Sequence, residues 1–133
     1  DVTHSSVLLF DEDIVLNIEC DAPGGQLILS AYLTELPEED TERVLRELMI
    51  ANLYWHRTDG ATLGLEEMTR GLILADRRPI STLDETSFEK WVEGFVNQTE
   101  RWKKRIPEIQ AGTDEPAPPA HPMAGQDGAA IFG

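Results

Sequence analysis

The sequence predicts an α+β domain, with a twisted antiparallel sheet of about five strands and two main helices. Three observations carry this. Residues 14–20 (IVLNIEC) and 26–33 (QLILSAYL) alternate with period two, as half-buried strands do. Phe88, Trp91, Val92, Phe95, Val96, Thr99 and Trp102 keep an unbroken three-and-four spacing, the signature of an amphipathic helix. Residues 43–57 (RVLRELMIANLYWHR) also follow helical spacing, but they are apolar nearly all round. A helix of that kind must be covered on more than one side.

Residues 6–10 (SVLLF) read as the first strand, and Asp11, Glu12 and Asp13 as a polar turn. In the second strand Ile14, Leu16, Ile18 and Cys20 share one face, and Val15, Asn17 and Glu19 the other. Gly24 and Gly25 supply the turn into the third strand, where Leu27, Leu29, Ala31 and Leu33 face inward and Ile28 and Tyr32 outward. Pro37 suits the first turn of the following helix, with Glu38, Glu39 and Asp40 near its positive end. That helix is expected to run to about Thr58, where Asp59-Gly60 breaks it. Residues 61–66 and 71–75 read as two more strands, with Pro79 ending the second. Ser81 or Asp84 can cap the last helix, and Pro107 is expected to stop it.

The chain has 133 residues, enough for one domain, which the pattern assigns to residues 1–110. Residues 111–133 are rich in Pro, Ala and Gly without a periodic apolar face, so a disordered tail is expected there. The net charge is −14, and residues 1–42 hold 11 acids with no Lys or Arg. This argues against nucleic acid or an anionic membrane as a partner. No apolar run approaches the roughly 20 residues of a membrane span, and no signal peptide is visible. The single Cys20 excludes an internal disulfide framework. The chain begins with Asp1 and not Met, which is consistent with a missing N-terminal piece.

No catalytic or metal-binding pattern emerges. His4, His56 and His121 are far apart, whereas a zinc site needs about four N or S ligands. The acids at 11–13 lack the glycine and the later bidentate acid of a calcium loop. Residues 60–64 (GATLG) are too short for a phosphate loop and lack its lysine. Cys20 lies on an inward strand face, where an inert core thiol is the simpler reading. The chain is therefore read as a binding protein and not an enzyme.

Two apolar surfaces support that reading. Val15, Ile28 and Tyr32 lie on the sheet face opposite the core, where a solvated strand would be polar, and they mark an interaction surface. The over-apolar helix suggests self-association, although a central helix in a monomeric core stays open as an alternative.

Residues 51–55 (ANLYW), 60–65 (GATLGL) and 71–74 (GLIL), in this order of strands and helices, resemble the CesT/Tir-type class I chaperones of bacterial type III secretion. The resemblance covers about residues 6–105. It implies a cytoplasmic bacterial homodimer in which Leu48, Ala51, Asn52, Leu53 and Trp55 pack at the two-fold contact. It also implies a secreted effector as partner, whose extended N-terminal segment wraps the dimer and stays soluble and secretion-competent, with no cofactor. The family usually opens with a helix before the first strand, and this sequence shows none. A second reading comes from the uncompensated acids of residues 1–42. They would suit a small acidic inhibitor or immunity-type protein blocking a basic site, with strongly salt-dependent binding.

Overall fold

The computed structural model describes residues 3–10, as backbone only, and residues 14–112. The expected turn at 11–13, and all of the expected tail except Ala111 and Gly112, lie outside the described residues. Five strands form one antiparallel sheet: β1 (Thr3–Phe10), β2 (Ile14–Asp21), β3 (Gln26–Glu35), β4 (Thr62–Glu66) and β5 (Gly71–Pro79). Their spatial order is β1-β2-β3-β5-β4. Helices α1 (Thr41–Asn52) and α2 (Glu85–Gln110) supply the second layer.

The alternation read from the sequence sets the core face. Leu16, Leu29, Ala31, Leu33 and Leu74 are buried on one side of the sheet. Against them α1 places Val44, Leu48 and Ala51, and α2 places Trp91, Phe95 and Trp102. Full burial of a large apolar side chain contributes about 1.5–3 kcal/mol, so this seam holds most of the stability. The helices are also tied by charge. The guanidinium of Arg105, buried between them, lies 3.5 Å from Glu47 of α1 and 3.4 Å from Glu108 of its own helix.

Several expected boundaries move. The helix does not begin at Pro37: Thr41 Oγ1 donates to the Pro37 carbonyl at 2.8 Å, closing a turn, and α1 starts at Thr41. Nor does it run to Thr58. It ends at Asn52, and a short 3₁₀ turn, Leu53–Trp55, follows. Tyr54 and Trp55 take left-handed φ values of 54° and 56°, which α-helical continuation forbids. Strand β5 extends past Ala75, because Asp76, Arg77 and Arg78 pair with Leu29, Ile28 and Leu27 of β3. Pro107 does not stop α2. A proline this late removes a single helical donor, while burial of Ile106 and Ile109 holds the last turn. Of the two proposed caps, Asp84 is the one used. Its carboxylate accepts from the Ser87 N–H at 2.8 Å, and Ser87 Oγ accepts from the Asp84 N–H at 2.9 Å.

One irregularity shapes the sheet. The β3–β5 register shifts between Tyr32 and Thr34, leaving the buried Leu33 as the extra residue of a bulge. Just beyond it, a β-carbon on Gly71 would stand 2.7 Å from Tyr32 Cε1, so Gly71 admits the tyrosine ring against the β5 backbone.

Candidate functional site

Among the described residues, two apolar surfaces stay open. The first is the sheet face turned away from the helices. Val15 is 47% exposed and Tyr32 51%, as the alternation requires. Because β2 and β3 pair Leu16 with Ala31, Val15 and Tyr32 sit at the same end of neighbouring strands. Tyr32 faces Ile73 of β5 across the next ladder. Ile28 does not join them. It lies four residues along β3 from Tyr32, roughly 13 Å away, half-buried between Glu19 of β2 and Arg77 of β5. The apolar cluster is therefore Val15, Tyr32 and the half-buried Ile73, with Ile28 at its charged far end. Sequence reading missed Ile73, although the alternation of β5 carried the signal.

The second surface is the outer side of α1 and its 3₁₀ extension. Here the expected contact residues divide. Leu48 is 5% exposed and Ala51 0%, so both belong to the protomer's own core and offer no surface. Helical geometry puts them beside Val44, toward the sheet. Asn52 is also spent internally: its Nδ2 donates to the Leu63 carbonyl and its Oδ1 accepts from the Leu63 N–H, both at 2.8 Å. Leu53 at 58% and Trp55 at 55% do project outward. Met49, Ile50 and Tyr54, which sequence reading left out of the contact, are exposed beside them. An open groove of about 750 Å³ runs along this side, lined by Leu45, Met49, Ile50 and Leu53 with Thr41, Glu42 and Arg46 at its polar end. Arg46 is held at Glu42 by a 3.0 Å ion pair, a surface contact of little energetic weight.

Both surfaces suit association through apolar area. Contiguous exposed apolar residues of this kind mark contact sites more often than chance allows. Among the described residues, no group of three His, Cys, Asp or Glu could hold a metal ion. No helix among them is long and apolar enough to cross a membrane. Among the described residues, two carboxylates held below ordinary acidity are structural. Thr69 Oγ1 and N–H donate to Glu66 and hold its carboxyl below the usual range, and the Ser87 N–H does the same for Asp84.

Comparison with known proteins agrees with this geometry. The model of the Tir chaperone protein (CesT) family matches residues 2–103. A protein of Chlamydia pneumoniae, CPj0713/CpB0740, is 31% identical over 103 residues, 77% of each chain. Among solved structures, a chain of the ExsC–ExsE complex superposes with a TM-score of 0.67 at 24% identity, covering 77% of this chain and 75% of that one. A chain of the heterodimeric ExoU–SpcU complex from the type III secretion system of Pseudomonas aeruginosa gives 0.63 at 15% identity, covering 82% and 84%. A chain of the HopA1–SchA chaperone–effector complex gives 0.60 at 17% identity, covering 75% of each. At these identities the structural likeness establishes the fold.

Proposed function

The chain belongs to the Tir chaperone protein (CesT) family, and on that footing we propose that it is a type III secretion chaperone of the bacterial cytoplasm. It binds the extended N-terminal segment of an effector and keeps that segment soluble and ready for export. The observation that carries the reading is the outer sheet face. Val15 and Tyr32 stand exposed there beside the half-buried Ile73, and the three form an apolar cluster. Apolar side chains of an extended guest bury there, and Ile28 contacts the guest further along β3. The family, and the ExsC–ExsE, HopA1–SchA and ExoU–SpcU complexes among its structural relatives, support a protein guest.

The outer side of α1 takes a second copy of the chain. Leu53 and Trp55, with Met49, Ile50 and Tyr54, form this contact, and the groove beside them receives the partner's equivalents. The chemistry is binding alone, and no catalytic role is assigned to any residue.

The test is to recover the tagged protein from its native host, identify the bound protein, and rebuild the complex with purified components. An intact guest and a guest lacking its N-terminal segment are then compared. Binding is expected to need that segment and to weaken in Tyr32→Asp. A guest that binds equally well without its N-terminal segment would overturn the reading.

A further inference from the structure

The outer face of the sheet is graded along its strands. Three rows of side chains cross β2, β3 and β5 there, set by the pairing register. The first row is the apolar cluster of Val15, Tyr32 and Ile73. Two residues along come Asn17, Ser30 and Ala75, which are short and uncharged. Two residues further come Glu19, Ile28 and Arg77. Successive rows lie roughly 6.6–6.8 Å apart, because side chains on one face of a strand recur at every second residue. An extended guest has the same repeat, and extended chains packed on a sheet face stay nearly aligned with its strands. A segment laid along β3 therefore sets its residues i, i+2 and i+4 over the three rows. The bulge of β3 lies beyond Tyr32 and leaves this match undisturbed.

The third row selects by charge. Among the described residues, neither the Glu19 carboxylate nor the Arg77 guanidinium takes part in an ion pair. Glu19 is half-buried, and Asp21, half-buried on the same face of β2, adds a second carboxylate. Asp21 accepts from the Gly24 N–H at 3.1 Å, which leaves its charge in place. Arg77 is exposed, so water and salt screen it more fully. Two half-buried carboxylates against one exposed guanidinium favour a cation at this end, and the net charge of −14 acts in the same direction. A Lys or Arg stem has the apolar length to cover Ile28 while its head reaches Glu19.

We propose that the outer face selects a guest segment with an apolar residue, a short uncharged residue and a Lys or Arg at i, i+2 and i+4, read in either chain direction, and that Glu19 sets the preference for the cation. The proposal rests on the outer face being the guest-binding surface. It is tested by amide-resolved NMR titration of the full chain with three synthetic peptides: acetyl-TFTSTKT-amide, its counterpart with Glu in place of Lys, and acetyl-TFTKTST-amide, which sets Phe and Lys only two residues apart. The first peptide is expected to give saturable shifts at Tyr32, Ser30 and Ile28. It should bind about fivefold more tightly than either of the others, the worth of one exposed ion pair. Glu19→Gln should remove the preference for Lys over Glu, and Glu19→Lys should reverse it. Absence of saturable shifts, equal binding of the three peptides, or a Lys preference unchanged in Glu19→Gln would overturn the proposal. Tyr32→Asp separates this failure from failure of the surface itself. Shifts that persist unchanged in Tyr32→Asp would remove the outer face as the guest site, and the proposal with it. Shifts lost in Tyr32→Asp, without any Lys preference in the parent, would leave the surface standing and overturn the charge reading alone.

Discussion

The Asn52 carboxamide grips the Leu63 backbone at both ends, with the Leu63 N–H donating to Oδ1 and Nδ2 donating to the Leu63 carbonyl, each at 2.8 Å. Strand β4 is an outer strand of the sheet, so without Asn52 these two groups would lie open on a free edge. The side chain stands where the next strand would pair, and it ties the end of α1 to the sheet. Replacing it with Ala removes two part-buried hydrogen bonds of about 1 kcal/mol each. Asn52→Ala should therefore lose about 2 kcal/mol in urea unfolding. Asn52→Asp should lose at least as much, because it sets a carboxylate against the Leu63 carbonyl. Unchanged stability in both variants would mean that water replaces the clasp without cost.

The split of α1 into a covered and an open side predicts opposite outcomes for two neighbouring leucines. Leu48→Glu puts a charge into the protomer core and should abolish folding, since a buried unpaired charge costs several kcal/mol. Leu53→Glu lies on the open side, should fold normally, and should shift the chain from dimer to monomer. Circular dichroism with sedimentation velocity separates the two. A folded Leu48→Glu protein, or a Leu53→Glu protein that remains dimeric, would contradict this assignment of sides.

Tyr54 and Trp55 display exposed aromatic rings from left-handed backbone, which costs on the order of 1 kcal/mol for each such residue. Tyr54→Gly should relieve that strain and raise the Tm of the isolated protomer. The same change deletes an aromatic ring from the proposed contact, so self-association should weaken. Opposite signs in the two measurements are the expected result. A fall in both would show that the ring supports the protomer itself.

On the outer sheet face, Tyr32→Asp and Val15→Asp should each weaken guest binding by about 2 kcal/mol or more, as for a central contact residue. Ile28→Asp should cost less, because Ile28 stands between Glu19 and Arg77 and away from the cluster. Tyr32→Asp and Val15→Asp should keep the unfolding midpoint near that of the parent, since Val15 and Tyr32 are half in solvent. Calorimetric titration with the guest segment ranks them. Equal losses at all three positions would extend the contact along the whole of β3.

The N-terminal cap of α2 links stability to acid. The Ser87 N–H bonds to the ionised Asp84 side chain, so the folded carboxyl titrates below its ordinary range. The unfolded chain therefore takes up the proton first. The cap's contribution is complete above the ordinary carboxylate range and is lost as pH falls through the lower folded value. Asp84→Ser keeps a capping oxygen that does not titrate, so its urea midpoint should fall less steeply as pH drops through and below the ordinary carboxylate range. Glu66, held down by the Thr69 hydroxyl and N–H, adds a second slope of the same sign, which Glu66→Gln should remove. Parallel acid limbs in parent and variants would contradict this linkage.

The strands of the meander, the long second helix and the apolar outer face were legible in the sequence because their signals are local. Period two at 14–20 and 26–33 assigns Leu16 and Leu29 inward and Val15 and Tyr32 outward whatever lies elsewhere in the chain. The three-and-four spacing from Phe88 to Trp102 does the same for α2, and the 51–55, 60–65 and 71–74 segments carried the family likeness. Tertiary structure decided the rest. Composition showed that α1 is apolar all round, but contact with Val44's neighbours on the sheet decided that Leu48 and Ala51 are core while Met49, Ile50 and Leu53 are surface. The β3–β5 pairing, made across the whole of α1 and β4, drew Asp76 to Arg78 into the sheet and brought Ile73 beside Tyr32. The clasp of Asn52 on Leu63 and the burial of Ile109 beyond Pro107 depend on partners 11 residues away or on another layer of the fold. A side chain's periodicity is a property of its own segment, whereas what covers it is a property of the partner that arrives when the chain closes.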